Sequence, residues 1–90
     1  MEDEHRRSAR LRVDRQTALV RFLSTDIDLA FTLLETAKTT SDSARTAALI
    51  AKTRFALESI RHLAEGIEDP GEAHAIHERA NLLEVAVKSA

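Results

Sequence analysis

The chain contains no cysteine, tryptophan or tyrosine among its 90 residues, and only one proline, two glycines and three phenylalanines. Without thiols there is no disulfide, no thiolate nucleophile and no sulfur-based zinc site, and such a composition fits a reducing compartment. Cytoplasm is the expected location. No stretch approaches the ~20 apolar residues of a membrane span, and the first seven residues, Met1 to Arg7, lack the apolar core of a secretory signal. Alternating β-branched and aromatic runs, the mark of strands, are also missing. No Gly-rich phosphate loop occurs, and no nucleophile stands beside a recognisable base. The reading is therefore of a protein that is not an enzyme, with no catalytic residue and no cofactor.

What remains is rich in alanine, leucine, glutamate and arginine, which lose little rotamer freedom in a helix. With 43% hydrophobic and 31% charged residues, the chain belongs with folded domains and not with disordered ones. Its length allows one domain, and a chain this short buries only roughly 60–65% of its unfolded surface, so association would add to a thin stability margin.

Three helices are predicted. The first starts between Ser8 and Asp14, either of which could cap it, and runs to about Lys38. The cluster Thr39-Thr40-Ser41-Asp42-Ser43 breaks the apolar pattern, and Asp42 or a neighbouring serine starts a second helix that continues to about Glu65. Gly66 suits a left-handed helix-closing residue. Asp69-Pro70-Gly71-Glu72 reads as a cap, a proline at the first helical position and a carboxylate three residues after the cap, opening a third helix that ends near Ser89. Short connections between long amphipathic helices predict an all-α, antiparallel, up-down-up three-helix bundle. Residues 13–90 form this domain, and residues 1–12 a charged arm that could join the first helix.

At about 100° per residue, Leu19, Leu23, Ile27, Ala30, Phe31, Leu34 and Ala37 share one face of the first helix. The second helix gathers Leu49, Ile50, Ala56, Leu57, Ile60, Leu63, Ala64 and Ile67, and the third Ala73, Ile76, Ala80, Leu83 and Val87. Each helix also carries a second apolar stripe: Phe22, Leu29 and Leu33; Ala44, Ala48, Ala51 and Phe55; Ala75, Leu82 and Ala86. Part of this excess serves contacts with two neighbours in a bundle. The remainder points to a partner, most simply a second copy in a symmetric dimer, or else another helical protein. Phe22, Leu29, Leu33, Ala48, Ala51 and Phe55 are the expected interface. Asp26 falls between Leu33 and Leu19 in projection, and is expected to reach solvent at the edge of the core face.

Charge is uneven. Residues 5–21 hold Arg6, Arg7, Arg10, Arg12, Arg15 and Arg21 against Asp14 alone, a net of +5 within a chain whose total is −2. A run of this kind is usually a solvated helical face, yet it could also guide association with an anionic partner or with the chain's own acidic remainder. Nucleic-acid binding through these arginines is the alternative function, although the pattern lacks interleaved aromatics. A helical metal-binding protein is the other, resting on His74, His77 and Glu78 with His62, Glu58 and Glu65 on the preceding helix. The two third-helix histidines lie on its polar face, so no metal site is assigned and local pairing with Glu78 and Asn81 is expected. The paired helices resemble a tetratricopeptide hairpin in the interval from Leu34 to Ala47. Glu35 and Lys38 stand where that motif takes a small residue and an aromatic, and no proline closes the second helix, so no family is assigned.

Overall fold

A computed structural model describes residues 2–90, and every element in it is helical: α1 (Glu2–Thr39), α2 (Ser43–Ala64) and α3 (Pro70–Ser89), each packed on the other two. The chain is an all-α three-helix bundle. Asp42 opens α2, its carboxylate accepting from the N–H groups of Ala44 at 3.0 Å and Arg45 at 3.3 Å. Asp69 does the same for α3, accepting from Glu72 N–H at 2.8 Å with Pro70 in the first turn. Both caps satisfy helix-end donors that would otherwise have no partner.

Antiparallel register follows from two cross-links between α1 and its neighbours. Thr46 donates its hydroxyl to Ala37 O at one end, and Gln16 donates to Gly66 O at the other. Interpolating between these at 1.5 Å per residue puts Leu33 level with Leu49, Leu29 with Thr53, and Phe22 with Ile60. Along this seam Leu23, Ile27, Ala30, Leu34, Leu57, Ile60, Ala64, Ile76, Ala80, Leu83 and Val87 close a single core. Alanines at Ala30, Ala64 and Ala80, each about 1% exposed, let the helix backbones approach. Thr53, wholly buried at the centre of the α2 core face, sends its hydroxyl to Leu49 O at 2.9 Å. A polar group can occupy the interior there because its own helix satisfies it.

Several expectations are corrected. The first helix starts at Glu2 and not between Ser8 and Asp14, because once α1 has nucleated on the bundle each further residue adds a backbone bond at little cost. Carboxylates at Asp3 and Glu4 favour the positive end of its dipole. Gly66 does not adopt the left-handed conformation. Instead, Glu65, Gly66 and Ile67 donate to His62 O, Leu63 O and Ala64 O in a tightening last turn, which carries Ile67 back into the core. A Cβ at Gly66 would sit tightly against Leu63 O at 3.3 Å and in ordinary contact with the Leu19 side chain at 3.5 Å. Leu63, expected in the core, is 39% exposed at the margin of the α2 face.

Adjacent leucines on α3 test this division. Leu83 is fully buried and Leu82 is 65% exposed. Leu83→Ala is expected to cost about 2–5 kcal/mol through lost transfer energy and a cavity, whereas Leu82→Ala is expected to stay within about 0.5 kcal/mol. Urea unfolding followed by circular dichroism checks both.

Candidate functional site

α1 is 38 residues long against 22 for α2 and 20 for α3, so at 1.5 Å per residue it spans about 57 Å while its neighbours span about 30 Å. The molecule measures 61 × 19 × 16 Å, and its longest dimension is that of this one helix. Every residue from Asp3 to Arg15 is exposed. The N-terminal third of α1 thus overhangs the bundle, and the helix meets the rest of the chain only where the α2–α3 loop comes up to it. There Gln16 makes a two-sided amide clamp, donating to Gly66 O at 3.0 Å and accepting from Glu68 N–H at 2.9 Å. Arg12 adds an exposed ion pair to Glu68 at 2.9 Å.

The two flanks of α1 differ. On one flank Ser24 and Asp28 both receive the Arg79 guanidinium, which marks the side facing α3. Phe22, Leu29 and Leu33 lie on the opposite flank, beside α2. On α2, Arg61 reaches Asn81 at 3.2 Å and Glu84 at 2.8 Å on α3, so Ala48 and Phe55, roughly 120–140° away from Arg61, lean toward α1. By projection Phe22, Leu29, Leu33 and Ala48 turn toward the outer surface of the α1–α2 pair, and Phe55 points almost directly away from the α2 core face. Of these, Phe55 is 73% exposed, Leu29 57% and Phe22 53%. Leu33 is half-buried and Ala48 exposed. Ala51, expected with them, is exposed and lies one turn before Phe55 on the outward side of α2.

Two exposed apolar side chains of the overhang, Leu11 and Val13, had no place in the expected interface. Leu11 falls on the same line as Ala18, Phe22 and Leu29, at intervals of seven, four and seven residues, so the stripe runs from the overhang into the bundle. That periodicity was available in the sequence, but the arm's arginine content masks it. Asp26, half-buried, lies on this same flank.

A cleft of about 410 Å³ between α2 and α3 is lined by Arg54, Arg61 and Lys88 together with Glu58 and Glu84. Its cations face its own carboxylates. His74 pairs with Glu78 at 3.2 Å on the exposed side of α3, as expected. Asn81 takes Arg61 and not a histidine, because the guanidinium reaches across from α2. No group of three or more metal-binding side chains converges among the described residues, and no described helix is long and apolar enough to cross a membrane. No protein-family model matches the chain, and neither a curated protein nor a solved structure is similar to it.

The clamp yields a direct expectation. Gln16→Ala removes two hydrogen bonds at the point where α1 leaves the bundle and is expected to cost about 1 kcal/mol. Arg12→Ala breaks only an exposed ion pair and is expected to cost under about 0.5 kcal/mol. Thermal unfolding of the two variants against the parent chain gives the comparison.

Proposed function

We propose that the chain is a small helical protein-protein interaction or scaffolding module that associates with itself through the outer α1–α2 face, and that it has no catalytic role. What supports this reading is the exposure of Phe22, Leu29 and Phe55, two of them among the chain's three phenylalanines, on the side of α1 and α2 that helical projection turns away from the core. Scattered single leucines on a surface need no explanation. Several large apolar side chains on one face, beside small residues that allow close approach, make the kind of patch that marks an interface. A symmetric dimer needs only one self-complementary patch, so a second copy is the simplest partner.

A second reading draws on the overhang, where Arg6, Arg7, Arg10 and Arg15 are all exposed. An anionic strand could follow them, and such binding would weaken steeply with salt as counterions are released. The acidic balance of residues 22–90 disfavours it, since a nucleic acid held on the arm would lie close to the body's carboxylates.

Light scattering across a concentration series decides the matter. The expected species at high micromolar concentration is a dimer of about 20 kDa, twice the 10.0 kDa of the chain. Phe22→Ser with Phe55→Ser should return the monomer with its helical circular dichroism unchanged, because neither side chain belongs to the core. A parent chain that stays at 10.0 kDa throughout removes the proposal. Salt-sensitive DNA or RNA binding by that monomer, lost with the arm, would put the second reading in its place.

A further inference from the structure

The geometry points to a specific arrangement of the two copies: α1 pairs antiparallel with α1 of the partner, so that each overhang lies along the outer α1–α2 face of the other bundle. This inference rests on the self-association proposed above and adds its register.

The overhang is exposed along its length and, apart from the Arg12–Glu68 ion pair, its own chain leaves it open to a second copy. On the overhang the line holds Leu11 between Glu4 and Arg15, and it continues from Ala18 to Leu33 on the bundle. Only an antiparallel second copy covers both halves at once, since each overhang then meets the partner's bundle and not its overhang. A parallel pairing would set arm against arm and leave like charges adjacent.

Side-chain size and charge select the register. The line facing outward along α1 reads Glu4, Leu11, Arg15, Ala18, Phe22, Asp26, Leu29, Leu33 and Thr36. With the two-fold axis level with Val20, Leu11 packs beside the partner's Leu29 and the small Ala18 receives the partner's Phe22. Arg15 then stands beside the partner's Asp26, which is half-buried on that flank. The acidic tip, Asp3 and Glu4, comes level with the partner's Arg45 at the far end of its α1–α2 face. Basic and acidic blocks alternate along the helix, from Asp3 and Glu4 to the arginines and on to Asp26, so reversing one copy brings opposite signs together. The arm becomes a fourth helix on the partner's bundle, with Ala48 leaving room for it.

The absence of native cysteine makes the register measurable. In one chain, Glu4 and Thr36 lie on a single straight helix about 48 Å apart, at 1.5 Å per residue, far beyond disulfide reach. Glu4→Cys with Thr36→Cys in the full chain should give covalent dimers on oxidation or with a short bismaleimide. Glu4→Cys alone should give none, whereas a parallel pair would cross-link strongly at that position. As a second variant, Leu11→Glu touches nothing in its own core and is expected to weaken dimerisation at least tenfold with circular dichroism unchanged. A double-cysteine dimer that fails to cross-link, or a dimer that ignores Leu11→Glu, overturns this register while leaving self-association standing. A parent chain that is monomeric removes both.

Discussion

The mismatch in helix length is the constraint on which the rest of the molecule depends. α2 and α3 can cover α1 for only about 30 Å of its roughly 57 Å, at 1.5 Å per residue. What is covered becomes an ordinary bundle with one leucine, isoleucine and alanine core. What is not covered is a single helical rod whose backbone bonds face water on every side. The radius of gyration, 16.7 Å, shows the effect on shape, since a compact chain of this length would come to about 12 Å.

An isolated helix of the overhang's length is marginal in water, and it persists here because it propagates from a segment already held by the bundle. Gln16 sits at that junction, and its clamp on the α2–α3 loop sets where support ends. Polar contacts elsewhere serve as clips on a core that is otherwise nondirectional. Arg79 ties α3 to Ser24 and Asp28 of α1, while Arg61 ties α2 to Asn81 and Glu84 of α3. These guanidiniums stand at the rim of the core, where partial exposure limits their net contribution but their directionality fixes which flank of each helix meets which neighbour.

Much of the bundle was legible in the sequence, for reasons visible at particular residues. The core stripe of α1 obeys helical spacing from Leu23 through Ile27, Ala30, Leu34 and Ala37, all buried, and Asp42 and Asp69 are caps whose chemistry is local. Thr53 was missed because its type argues for the surface, although its position lies at the centre of the α2 face. Its helix supplies the partner that a sequence pattern does not show. Gly66 misled in the opposite direction, since α2 closes there without a left-handed residue. Within the candidate face, Phe22, Leu29, Ala48, Ala51 and Phe55 are exposed and Leu33 is half-buried, as a stripe set apart from the core spacing should be. Leu11 escaped because its arginine neighbours concealed the seven-residue interval that joins it to Ala18.

The unifying physical claim is that the apolar line from Leu11 to Leu33 is buried by a second copy, which converts an exposed rod into part of a helical assembly. Backbone amide hydrogen exchange along residues 5–11 reads this most directly, because those residues are exposed and precede Arg12, where Glu68 of the same chain reaches the arm. The account predicts protection of these amides at high protein concentration that falls away on dilution, while the amides of Leu57 and Ile60 in the core stay protected. Exchange of the arm that is equally fast at every concentration would contradict it.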